Sequence, residues 1–157
     1  MKNLKTYNPI VLARNAIAAT GLMTILNIIV VAMHFTPIFP LSLNLPITAS
    51  YYLFNAPQEL IDIFGSMEAL AAARPFFMAI ALLVMIPLIY SYFRSAKKPK
   101  AIKIGFGVII LDAAFLILYF NFSIAWFIDA AYHGFLLWYI FKGIMAFALE
   151  RGLIETN

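Results

Sequence analysis

Asp112, Asp129 and His133 are the residues whose types and spacing could do chemistry, because each interrupts a run of otherwise apolar residues. Asp129 and His133 lie four residues apart, hence on one face of a helix. Asp112 sits near the middle of the preceding apolar run. Only Asn121, Phe122 and Ser123 separate the two runs, so they must form an antiparallel hairpin that carries the acid towards the other pair. Ionisable groups in hydrocarbon are costly and face a bundle interior, which makes each a functional candidate. Asp112 could carry a proton that His133 holds or relays, with Asp129 one turn away. The same three groups could equally form a hydrogen-bonded network that does no more than hold helices together.

Two stripes accompany them. Thr20, Thr24, Asn27, Val31 and His34 recur at helical spacing, and so do Gly105, Val108, Asp112, Phe115 and Tyr119. Counting along each run at about 1.5 Å per residue puts Asn27, Asp112 and His133 near one depth. Asp129, Tyr119 and His34 fall in the outer half. Convergence of the stripes predicts an outward-opening polar pocket floored by Asn27, Asp112 and His133 and able to bind a small molecule, a lipid or an ion. No zinc motif occurs, and the different depths of His34 and His133 count against a haem pair, so neither metal nor cofactor is expected. There is no Gly-rich phosphate loop and no Ser–His–Asp signature, and the absence of cysteine excludes thiol redox chemistry.

The elements that must position these residues follow from hydropathy. Hydrophobic residues make up 64% of the 157, against roughly half in soluble domains. The mean hydropathy is +0.93. A chain this small cannot hide that surplus from water. Four apolar runs, at 16–35, 76–93, 102–120 and 124–149, are each about long enough to cross a bilayer. The expected fold is an all-α bundle of four transmembrane helices in a single membrane domain. Ten of the eleven basic residues precede the first run, lie between the second and third, or close the fourth; only Arg74 does not. The positive-inside rule then places both termini and the middle loop in the cytoplasm. The net charge of +4 sets this topology and meets lipid headgroups, with no nucleic-acid partner implied.

The outer loop, 36–74, is too long for a simple connection. Tyr51, Tyr52, Leu53 and Phe54 suit a lipid–water interface. Asn55, Pro57 and Gln58 read as the start of a short interfacial helix that Gly65 stops, with Leu60, Ile61 and Phe64 on its apolar face. Ser66 reads as the cap of a further helix bent at Pro75 and Pro87. Trp126, Trp138, Tyr132 and Tyr139 read as interface anchors, and Ala130 with Gly134 as a small-residue contact for another helix.

The segments Ala13-Arg14-Asn15, Tyr52-Leu53-Phe54-Asn55-Ala56, Ile128-Asp129-Ala130-Ala131-Tyr132-His133 and Leu137-Trp138-Tyr139-Ile140-Phe141-Lys142-Gly143 resemble a pattern in a family of small four-span membrane proteins of Gram-positive bacteria. The resemblance implies a bacterial cytoplasmic membrane and supplies no activity. The leading expectation is a binding protein with a polar pocket, acting in transport or as an accessory subunit beside a membrane partner. The alternatives are an intramembrane lipid enzyme using Asp112, Asp129 and His133 as acid–base groups, and a scaffold or immunity protein without pocket chemistry.

Overall fold

A computed structural model describes residues 8–39, 41–55, 57–120 and 122–150. Lys2, Lys5, Pro40, Ala56, Asn121 and Arg151, used in the sequence reading, lie outside the described residues. The described residues form helices without strands: α1 (Pro9–Ala32), α2 (Asn44–Asn55), α3 (Gln58–Phe64), α4 (Met67–Ser95), α5 (Ile102–Leu118) and α6 (Ile124–Glu150), with a 3-10 turn at Pro99–Ala101. Four of them (α1, α4, α5 with its leading turn, and α6) are long and apolar enough to cross a membrane. Large side chains project from this bundle, among them Leu83 at 72% exposure and Phe135 at 66%. Such surface is stable in lipid, whereas water would penalise it.

The helices begin and end for local reasons. Asn8 caps α1 by accepting from the Ile10 N–H at 2.9 Å, and Pro9 follows at the first position, so α1 starts ahead of the expected residue 16. His34 terminates it with φ of 63°, while Phe35 N–H reaches back to the Val30 carbonyl at 3.1 Å. That is the left-handed stop with a six-to-one hydrogen bond, and histidine is among the residues that tolerate it. Ser66 caps α4 through Ala69 N–H at 3.1 Å, and Pro75 and Pro87 lie within α4. The 102–120 span ends earlier than expected, at Leu118.

The loop between α1 and α4 departs most from expectation. It holds two helices, and α2 packs against both α1 and α4 within the bundle. Asn55 ends α2 and does not cap α3. Its side chain donates to the Val31 carbonyl at 3.4 Å and accepts from His34 Nδ1 at 2.9 Å. Pro57 stands before α3 with no side-chain cap, and Gln58 donates to Asp62 at 2.8 Å. Leu60 is buried, Ile61 half-buried and Phe64 exposed.

Small residues set the helix contacts. A Cβ on Gly143 would stand 2.5 Å from Ala13 Cβ and 3.0 Å from the Pro9 carbonyl oxygen, so α6 touches the start of α1 there. A Cβ on Gly105 would meet Ile17 at 2.7 Å and Ser91 Oγ at 2.8 Å. Gly134 is exposed with nothing within 4 Å, so the expected Ala130–Gly134 contact is not what joins this bundle. Tyr132, expected at an interface, instead turns inward and its hydroxyl bonds to Thr20. Gly143→Ala should therefore destabilise the purified protein by about 1–3 kcal/mol, the usual penalty for overpacking. Gly134→Ala should leave thermal unfolding in detergent unchanged or slightly raised, and equal effects at the two glycines would contradict this packing.

Candidate functional site

After His34 the chain turns back along α1 and descends into the bundle. Asn27 accepts from the N–H groups of Ile38 and Phe39 at 3.1 and 3.0 Å. Its amide donates to the Phe39 carbonyl and to Ser42 Oγ, both at 2.8 Å. Those four bonds use the full capacity of the side chain. Lower still, Leu43 N–H donates to Thr24 Oγ1 at 2.9 Å, and that hydroxyl donates onward to the Thr20 carbonyl at 2.7 Å. From the level of His34 to that of Thr24 is about 15 Å along a helix. α2 then climbs back over about 18 Å, until Asn55 meets Val31 and His34 again.

The bottom of this excursion is the first turn of α2, where a helix leaves four N–H groups without internal partners. Leu43 uses Thr24. Asn44 N–H donates to Asp112 Oδ2 at 2.9 Å and Leu45 N–H to Asp112 Oδ1 at 2.7 Å. Pro46 has no N–H. All four positions are thereby accounted for, and the carboxyl group sits where the helix dipole favours negative charge.

His133 completes the arrangement. Its Nδ1 lies 2.8 Å from the Asp129 backbone carbonyl, which only accepts, so Nδ1 carries a hydrogen. Its Nε2 lies 2.8 Å from Asp112 Oδ2. One proton lies between those two atoms, and the pair is neutral overall whichever atom holds it. Asp112 is 0% and His133 2% exposed.

The six expected site residues thus divide into four groups. Asp112 and His133 touch directly, as the hairpin predicted. Asn27, 1% exposed, serves the folded-back segment and does not line a pocket with them. Among the described residues, the first turn of α2 occupies the expected pocket floor, and Asn27, Asp112 and His133 are buried there rather than open to a shared cavity. His34 lies exposed at the end of α1, apart from all of these. Asp129 and Tyr119 meet elsewhere, in a crevice of about 200 Å³ between the start of α2 and the α5–α6 hairpin. Asn44, Thr48, Phe115 and Trp126 also line it. Trp126 Nε1–H donates to the Leu116 carbonyl at 2.9 Å, and the rings of Phe115 and Tyr119 lie 4.5 Å apart. Burial raises the pKa of the nearby Tyr52 phenol above its ordinary value, with Tyr119 and Glu59 adding to the effect, so that ring stays neutral.

Two polar groups at this crevice lack a hydrogen-bond partner among the described residues. Among the described residues, nothing hydrogen-bonds or pairs with the half-buried Asp129 carboxylate. Asn44 Nδ2 is buried without a partner. Asn44, Thr48 and Trp126 were not among the expected site residues. The available signal was a loop too apolar for water, with Leu41, Leu43, Leu45 and Ile47 alternating into a proline-bearing helix start. No family model, curated protein or solved structure matches the chain. The fold itself defines the class, a polytopic helical membrane protein with a half-helix folded back into its bundle.

Removing the Asp112 side chain should release that half-helix. Asp112→Ala strands two backbone donors and His133, and breaking a buried pair costs about 3–5 kcal/mol. Asp112→Asn keeps one acceptor oxygen but turns an NH₂ group towards a donor, and should fall between wild type and alanine. Amide hydrogen exchange at Leu43, Asn44 and Leu45 should accelerate in both variants before exchange in α6 changes. Unaltered protection at those three amides would show that Asp112 does not hold the segment.

Proposed function

We propose that this protein resides in a bacterial cytoplasmic membrane and binds a small ligand bearing an ammonium group in the crevice at Asp129. It acts in transport or as an accessory subunit of a larger membrane complex. Arg14, Arg94, Lys97, Lys98, Lys100, Lys103 and Lys142 gather at one end of the bundle, which the positive-inside rule assigns to the cytoplasm. The crevice then opens outward, α2 is a half-helix entering from outside, and α3 lies on the outer surface with Ile63 and Phe64 towards lipid.

The observation that carries this reading is the unengaged Asp129 carboxylate beside the aromatic rings of Phe115, Tyr119 and Trp126. An acid in a crevice that aromatic side chains also line suits an organic cation, which gains from both the charge and the ring quadrupoles. At about 200 Å³ the space is below the range for drug-sized molecules, so the ligand is small. The enzyme reading draws less support, because Asp112 and His133 are sealed beneath α2 and engaged with it. Their closed network favours the scaffold reading in the event that the crevice binds nothing.

Two measurements test this. In a Trp138→Phe background, Trp126 should report binding of choline or ethanolamine as a saturable fluorescence change. Asp129→Asn should weaken it at least tenfold with little change in thermal unfolding, since among the described residues nothing hydrogen-bonds the carboxylate. No saturable change with either amine would hand the polar network to the scaffold reading. For orientation, an impermeant thiol reagent on intact cells should label Ser66→Cys and spare Lys98→Cys. The reverse pattern would invert the topology and with it the outward crevice.

A further inference from the structure

At the opposite end from Asp129, the C-terminal turns of α4 and the start of α5 enclose a crevice of about 320 Å³. Arg94, Lys98 and Lys100 supply its polar walls, and Tyr90 and Ile104 supply an apolar wall. Both apolar residues are open to the surroundings, at 51% and 41% exposure. A second crevice of about 200 Å³ adjoins it, sharing Lys98 and Lys100 and adding Lys97 and Phe147. We propose that the first crevice is a binding site for one anionic phospholipid, its headgroup phosphate held between Arg94, Lys98 and Lys100 and an acyl chain laid along Tyr90 and Ile104.

Charge balance is the first argument. Among the described residues, no carboxylate pairs with any of these cations; the single acid–base contact within 4 Å is the internal one between His133 and Asp112. The acids of the long loop, Glu59, Asp62 and Glu68, belong to the other end of the bundle. Three cations set around one hollow repel each other until an anion enters. Arg14, by contrast, is already used: its Nε donates to Ser95 Oγ at 3.1 Å and its guanidinium lies 5.5 Å from the Tyr92 ring centre.

Shape is the second. The α4–α5 junction is rigidly built, with Ser91 Oγ donating to the Ala101 carbonyl at 2.9 Å and accepting from Gly105 N–H at 3.0 Å. Ala101, buried by that contact, forms the floor of the crevice. The cations therefore stand on a fixed ledge, with an apolar wall running from it towards the middle of the bundle. A phosphate carrying hydrocarbon matches both halves of this surface. Free phosphate matches only one. Basic hollows between membrane helices are a recognised form of lipid site, and each surface cation contributes about 1 kcal/mol, or roughly fivefold in affinity.

The test uses the full-length protein in neutral detergent, with lipid retention counted by native mass spectrometry. Phosphatidylglycerol should be retained as one molecule per protein, while phosphatidylcholine at the same concentration is not. Sodium phosphate at matched concentration should not displace it. The double variant Arg94→Gln/Lys98→Gln should weaken retention roughly 25-fold. Lys103→Gln/Lys142→Gln, which removes the same charge outside the crevice, should change it less than threefold, and Arg94→Lys should preserve it. Thermal unfolding without lipid confirms that each variant is folded. Should the double variant fail to fold, Lys100→Gln alone gives the same comparison with an expected fivefold loss. Equal losses in the crevice and control variants would overturn the site in favour of diffuse surface charge. Displacement by sodium phosphate would overturn the lipid as its occupant.

Discussion

A backbone that leaves helical form inside an apolar bundle must find partners for its N–H groups within the protein, because lipid offers none. In this chain that requirement is concentrated on one carboxyl group. Asp112 receives the first two amides of α2, one on each oxygen, and shares Oδ2 between Asn44 and His133. Were the donors at Asn44 and Leu45 left bare, the loss at about 1–3 kcal/mol each would be a large share of the ~5–15 kcal/mol that holds a small protein folded. The path of the chain between α1 and α3 therefore depends on one acid of α5, more than 60 residues further along.

The same constraint explains the polar stripe of α1. Thr20, Thr24 and Asn27 are buried on a helix whose other faces meet apolar surroundings, an arrangement that needs a hydrogen-bonding partner at every level. Each level has one. Thr20 meets Tyr132 of α6, Thr24 meets the chain at Leu43, and Asn27 clasps the extended stretch at Ile38 and Phe39. Read from top to bottom, the stripe is a series of docking points for a strand of backbone, ending where Asp112 takes over.

The four long helices were legible because hydropathy and charge asymmetry act over twenty residues at a time. The inward faces of Asn27, Asp112 and His133 were legible because each is a polar group whose cost fixes its direction. What those groups bind was not legible. Side-chain periodicity suggested that polar stripes converge on one another around an open pocket, whereas most of their partners are backbone amides and carbonyls, which every residue carries and no pattern reveals. α2 was missed for a related reason. Tyr51, Tyr52 and Phe54 look like an interfacial run, and Asn55 looks like a cap for the next helix, yet Asn55 is the last residue of a helix that begins at Asn44. A helix of twelve residues with polar groups at Thr48 and Ser50 carries no strong amphipathic signature; its burial comes from neighbours distant in sequence.

Asn44 connects the sealed half of the structure to the open half. Its backbone N–H is bound to Asp112, on the closed side, while the residue also lines the crevice that holds Asp129 and Tyr119. Asp129 makes the reciprocal connection from α6, offering its backbone carbonyl to His133 and its carboxylate to the crevice. The crevice wall is thus set by the same backbone bonds that seat the first turn of α2, so a substitution that loosens the Asp112–His133 pair also loosens two residues of the crevice.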